Sequence, residues 1–363
     1  RMLRIRSDGV LFTSGGTESN NQALWGYIEA LAERGRRYED MEIVTTPIEH
    51  ASILEVCTVL KKKGVTIRFL PLHDDGLIDI EAFETVLSPR TVLVSCAYVN
   101  SEIGVVQDVK RLTRIVRAYN KAEGTTICMH LDAAQAPLWL PCEMDMLGVD
   151  LLSLDSGKCY GPKGVGVLAF RHGVPLVPYM HGGGQEGGLR SGTENVPLIV
   201  GCAEALVRAQ KTWKTRAHAV TLLRDFMFAL LEKEIPHVII NGSREARVPN
   251  NVHISIPGIE SEFAVITLDR HGINASTKSA CGAGTSGGSS VIRTLTRSED
   301  RARSTIRFTL GEETTKKRLY VQYTYFVYIQ RVCERFSRRS RISSVAERFF
   351  VRAEYLQQQN RGG

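Results

Sequence analysis

Val10-Leu11-Phe12-Thr13-Ser14-Gly15-Gly16-Thr17-Glu18 reads as a short apolar strand that breaks at a glycine pair and restarts as a helix, with Leu24, Ile28 and Leu31 sharing one helical face downstream. A turn of this kind can present unpaired backbone N–H groups and the Thr17 hydroxyl to an anion, aided by the helix dipole. Plain helix capping uses the same residue types, and both readings stand at this point. The GxGxxG and GxxxxGK[ST] loops are absent, so neither a dinucleotide nor a nucleoside triphosphate is indicated.

Working outward, apolar runs of strand length follow at residues 42–46, 66–70, 91–99, 127–131, 149–154 and 165–170, with helical spacing at 53–63, 80–86 and 110–120. That alternation predicts an α/β domain, a mostly parallel sheet with helices on both faces. The glycine-rich stretch 181–188 breaks the pattern, and a long helical region at 197–234, read as bent or interrupted, leads into a second unit. There, runs at 252–256, 264–268 and 305–310 read as strands of a small α+β domain. The expected organisation is a large domain over 1–204, a small one over 205–318, and an aromatic then basic helix and tail over 319–363.

Composition narrows the class. A chain of 363 residues with 43% hydrophobic content can fill a core, which excludes wholesale disorder. The formal charge of +7 is concentrated in 331–352, where seven arginines face Glu334 and Glu347, so charge does not argue for nucleic-acid binding by the body. Eight cysteines lack paired spacing, and the histidines show no HExxH pattern, so neither a disulfide framework nor a zinc site is expected. No run of 18 apolar residues suits a membrane span, and the expectation is a reducing intracellular compartment, cytoplasmic or organellar.

Individual residues carry chemistry. His50 ends a strand-length segment where ligands collect in open sheets. Asp132 follows an apolar strand, an expensive place for a carboxylate without a cation. Lys158, between glycine turns just past another apolar run, can lose enough solvation for its neutral amine to attack a carbonyl, although a loop lysine is commonly just a surface residue. Cys281 lies among small residues at 276–288 that suit an exposed loop, and it is the best nucleophile candidate. Arg307 can grip a carboxylate bidentately from a strand edge, or simply be solvated.

Taken in order, Phe12 to Asn20, Glu49-His50, Asn100-Ser101-Glu102-Ile103-Gly104, Asp132-Ala133-Ala134-Gln135, Gly157 to Gly164, Arg190-Ser191-Gly192-Thr193, Ser279-Ala280-Cys281 and Arg307-Phe308-Thr309 resemble the cysteine desulfurases among fold-type I pyridoxal-phosphate enzymes, from about residue 10 to 315. The resemblance implies pyridoxal 5'-phosphate joined to the Lys158 amine, Asp132 paired to the ring nitrogen, His50 stacked on the ring and Gln135 bonded to the phenolic oxygen. Gly16 and Thr17 would hold the phosphate, with Thr193 reaching it from the other subunit of a homodimer. Arg307, with Asn100, would hold the carboxylate of L-cysteine. Cys281 would take the sulfur as a persulfide, leaving L-alanine, for delivery to an acceptor such as an iron–sulfur scaffold. Selenocysteine lyase, another sulfur-transfer branch and a non-catalytic scaffold are the alternatives.

Two departures from the family pattern matter. Relatives commonly end Ser-Gly-His-Lys at the lysine, whereas this chain has Asp155-Ser156-Gly157-Lys158; one or two phosphate contacts are missing and a carboxylate is close by, so either cofactor affinity is lowered or Ser156 compensates. Asn100 is followed by Ser101 where many relatives carry a second asparagine. Relatives also carry an N-terminal arm before the glycine turn, so the expectation is that this sequence omits such a lead-in.

Overall fold

The computed structural model describes residues 2–235, 237–277 and 288–319. Cys281 and the basic stretch from residue 320 onward lie outside the described residues.

The larger sheet contains β1 (Val10–Thr13), β2 (Glu42–Thr45), β3 (Thr66–Phe69), β4 (Thr91–Ala97), β5 (Cys128–Asp132), β6 (Leu151–Asp155) and β7 (Gly166–Phe170) in the order β1-β7-β6-β5-β4-β2-β3. β7 runs antiparallel to β1 and β6, and the remaining pairs are parallel. Consecutive side chains on these strands feed two separate cores. Ile43, Leu93, Leu151 and Leu168 pack with α1 (Gly16–Glu33) and α2 (Ala51–Lys62), while Val44, Val94, Leu152 and Val167 pack on the opposite face. That second face is covered by α3 (Ile80–Val86), α4 (Val109–Glu123), α5 (Met144–Leu147) and α6 (Val196–Glu234). Burying one such side chain stabilises by about 1.5–3 kcal/mol, and a one-residue slip would exchange the two sets, so the register is strongly specified.

The second core continues without a break into the small unit, where Val252, Ile254, Leu268 and Ile306 join it. There β8 (Ile239–Ile240), β9 (Asn251–Ser255) and β10 (Thr305–Thr309) form an antiparallel sheet ordered β10-β9-β8, accompanied by α7 (Ser261–Arg270), α8 (Ser290–Thr296) and α9 (Glu299–Arg303). The architecture is thus α/β with a smaller α+β part, as expected.

One reading from sequence is corrected and another is narrowed, since of a bent or an interrupted long helix the interrupted one is excluded. The run 264–268 is the middle of α7, not a strand: Ala264 and Leu268 are buried one turn apart, while Phe263 and Ile266 are exposed, a helical period. The region read as a bent or interrupted helix is one 39-residue α6, opened by Asn195, whose side chain accepts from Leu198 N–H, and by Pro197 in its first turn. A division at residues 204 and 205 falls inside this helix. Among the described residues, no helix is long and apolar enough to cross a membrane.

Candidate active site

The loops after β1, β2, β4, β5 and β6 meet at one edge of the large sheet, the carboxyl edge of its parallel strands, where ligands of open α/β sheets bind. β7 helps set the first of these loops. A Cβ on Gly166 would lie 2.5 Å from the Gly15 carbonyl carbon, so only glycine lets the strand approach the turn this closely. β10 closes the site from the small sheet. The result is a cavity of about 440 Å³ whose lining includes Gly16, Thr17, His50, Asn100, Asp132, Gln135, Lys158 and Arg307. Segments nearly 300 residues apart in sequence are thereby brought to one place.

Asp132 ends β5, buried at 9% exposure, and its hydrogen-bond partners are neutral: Asn20 Nδ2 donates to Oδ2 over 2.8 Å and Ala134 N–H to Oδ1 over 3.0 Å. Burial pushes its carboxyl above the usual range and the Asp155 charge adds to this, while those hydrogen bonds and nearby His50 pull it back. Asn20 also donates to Ser52 Oγ (2.9 Å), and Ser52 in turn meets His50 Nδ1 through its Oγ (2.7 Å) and its N–H (3.1 Å). A polar chain therefore runs Asp132–Asn20–Ser52–His50. It fixes the imidazole at the start of α2. Sequence reasoning assigned no role to Asn20 or Ser52; Asn20 sits one turn after Thr17 on the same helix, which was the available signal.

Lys158 ends a single 3-10 turn, Ser156–Lys158, that follows β6. It lines the cavity but is exposed, so burial within this chain does not supply the loss of solvation expected for it. Ser156 does not line the cavity: at the start of the 3-10 turn it is buried beside Gly161. The side chain facing inward at that end is Asp155. Thr193 is exposed and likewise absent from the lining.

Asn100 organises its own loop. Its Oδ1 accepts from Glu102 and Ile103 N–H, both at 3.0 Å, and its Nδ2 donates to Ile48 O over 2.8 Å. Those contacts place Ser101, whose carbonyl accepts from Arg307 Nη1 (2.9 Å). Arg307 Nε is buried without a hydrogen-bond partner among the described residues. Burial lowers the pKa of the guanidinium from its ordinary value and Glu102 opposes that. Next to β10, Ser276 and Arg307 exchange two backbone hydrogen bonds, at 3.0 and 2.7 Å.

Residues 1–319 match the class-V aminotransferase family. A cysteine desulfurase IscS from Dictyoglomus turgidum is 39% identical over 335 residues, covering 92% of this chain and 82% of its own length. The chain is a class-V aminotransferase of the cysteine desulfurase group. A second IscS desulfurase, from Archaeoglobus fulgidus, is 38% identical over 306 residues, 84% of this chain and 77% of that one. Among solved structures, a NifS-like protein superposes with a TM-score of 0.82 at 32% identity, covering 91% of this chain and 85% of its own. DndA from Streptomyces lividans superposes with a TM-score of 0.73 at 33% identity over 85% of each chain. The desulfurase fold accounts for the placement of the cavity between the two sheets.

Proposed function

We propose that this cavity removes sulfur from L-cysteine, the pyridoxal-phosphate-dependent reaction of the group, with the residues gathered at the sheet edge in the following roles. The observation that carries the reading is the meeting of Lys158, Asp132 and Arg307 in one cavity. The ring end suits the cofactor: Asp132 is a buried carboxylate with only neutral hydrogen-bond donors, and a protonated ring nitrogen is the cation it lacks. His50, fixed by Ser52, would lie against the ring, and Gln135, which lines the same cavity, would meet its phenolic oxygen. When bound, pyridoxal phosphate supplies an electron sink that makes the Cα proton of an amino acid removable.

The chain's own groups do the rest. Arg307 holds the substrate carboxylate and thereby orients Cα, with Asn100 acting through the Ser101 carbonyl. The Lys158 amine takes the Cα proton and returns protons to the product carbon. The Cys281 thiolate attacks the substrate sulfur; as that S–S bond forms, the C–S bond breaks and its electron pair stays with the substrate carbon, which is protonated to give alanine. The persulfide on Cys281 then goes to an acceptor protein such as an iron–sulfur scaffold. A homodimer, with Thr193 of one subunit reaching the cofactor phosphate of the other, would also cover the exposed Lys158. A reducing intracellular compartment suits the six buried free cysteines from Cys57 to Cys202.

Purified chain supplied with cofactor and then with L-cysteine or L-selenocysteine tests the reading, with alanine, sulfide and selenide quantified. Alanine and sulfide from L-cysteine are expected. Lys158→Ala should lose both activity and cofactor absorbance, while Cys281→Ser should keep the absorbance and lose persulfide. Selenide as the sole product would overturn the assignment.

A further inference from the structure

The phosphate end of the cavity already contains an anion. Asp155, the last residue of β6, points its carboxylate at the start of α1: Gly16 N–H donates to Oδ2 over 3.0 Å, and Gly157 N–H donates to Oδ1 over 2.8 Å. Gly15 and Gly16 are moulded around it. A Cβ on Gly16 would come within 3.3 Å of Asp155 Cβ and Oδ2, and one on Gly15 within 3.7 Å of Oδ2. The same carboxylate raises the proton affinity of Asp132, so its field reaches the ring end of the cavity. One backbone donor that the turn would offer to a phosphate is therefore engaged by a side chain 139 residues away.

We propose that Asp155 is a specificity-determining residue that occupies the phosphate cradle, so that this chain holds its cofactor mainly by the ring and gains little from the phosphate. The proposal rests on the cofactor reading given above. A phosphate monoester carries nearly two negative charges at neutral pH, and a fixed carboxylate beside it opposes the attraction of the helix terminus. Asp155 also satisfies the Gly16 N–H when no ligand is bound, so phosphate entry must exchange one charge-assisted hydrogen bond for another rather than add one. The groups around this carboxylate are of both signs: Asp132 across the cavity, Lys158 on the same turn, and Lys163, whose Cγ lies beside Gly157. No second carboxylate lies in direct contact with Asp155 to share its proton among the described contacts.

The test compares pyridoxal phosphate with pyridoxal, which lacks the phosphate, on the full chain stripped of cofactor. Binding is read from cofactor absorbance and from quenching of intrinsic tryptophan fluorescence, since Trp139 lines the cavity. The unsubstituted chain is expected to prefer pyridoxal phosphate by no more than about tenfold. Asp155→Ser and the isosteric Asp155→Asn should each tighten pyridoxal phosphate binding by about tenfold, as one recovered phosphate hydrogen bond would, and change pyridoxal binding by no more than about threefold, through the field at Asp132. A preference of about a thousandfold in the unsubstituted chain, or variants within about twofold of it for both compounds, would overturn the role of Asp155 while leaving the cofactor reading intact. Failure of every chain to bind either compound would instead overturn the cofactor reading, and this proposal with it.

Discussion

Asn20 Nδ2 donates to Asp132 Oδ2 over 2.8 Å, tying the second turn of α1 to the end of β5. Removing one donor from a buried carboxylate costs about 1–3 kcal/mol, so Asn20→Ala should weaken pyridoxal phosphate binding by about tenfold or more. Asn20→Asp places a second carboxylate beside the first and should weaken it further. Titration of each variant by absorbance checks both, and unchanged affinity in Asn20→Asp would remove Asn20 from the site.

Arg307 presents a planar guanidinium, and a lysine cannot reproduce its two parallel donors. Arg307→Lys should raise KM for L-cysteine by about tenfold or more while leaving cofactor affinity within about twofold. Steady-state kinetics beside a cofactor titration separates the two. A fall in kcat alone would contradict a carboxylate-holding role.

Glu49, fully buried, accepts from Thr46 Oγ1 over 2.5 Å. Burial, helped by the charge of Asp132, pushes its carboxyl from 4.5 up to about 8 despite that hydrogen bond. The folded chain therefore holds this proton more tightly than the unfolded chain does. Its contribution to stability is complete below pH 4.5 and is lost as pH rises to about 8. Glu49→Gln should remove that loss, on the order of 3–4 kcal/mol between pH 5 and 8, and flatten the fall of Tm over the same range.

His130 behaves with the opposite sign. Buried between Ser95 Oγ (2.8 Å) and Ser153 Oγ (3.0 Å), it is held neutral, its pKa driven by burial from 6.5 down to about 3. Stability from this group is present above pH 6.5 and is lost as pH falls toward 3. His130→Gln should narrow the difference in Tm between pH 7 and pH 4; an unchanged difference would mean that other groups govern the acid limb.

The large sheet was legible because its inner strands, β2 and β4 to β7, are buried on both faces and read as largely apolar runs. Their spatial order was not, since pairing β1 with β7 depends on contacts across the whole domain. Residues 264–268 misled for a local reason: a short, mostly apolar run does not distinguish a strand from a helix that buries every fourth residue. The site divides in the same way. Asp132, Lys158 and Arg307 stand in short motifs that announce themselves, whereas the partnership of Asp155 with Gly16 spans 139 positions and emerges only on folding. Ser156, expected to compensate at the phosphate, is the first residue of the 3-10 turn and is buried, whereas Asp155, the last residue of β6, lines the cavity.

The backbone pairing of Ser276 with Arg307 has a mechanical meaning. Two segments joined by reciprocal hydrogen bonds hold each other in register, so the backbone of Ser276 is fixed to the strand that carries the Arg307 guanidinium. Ser276 lies five positions before Cys281 in the sequence. On the proposed reading, the residue that would grip one end of the amino acid and the segment that leads in sequence toward the proposed sulfur acceptor share one anchor on the small sheet.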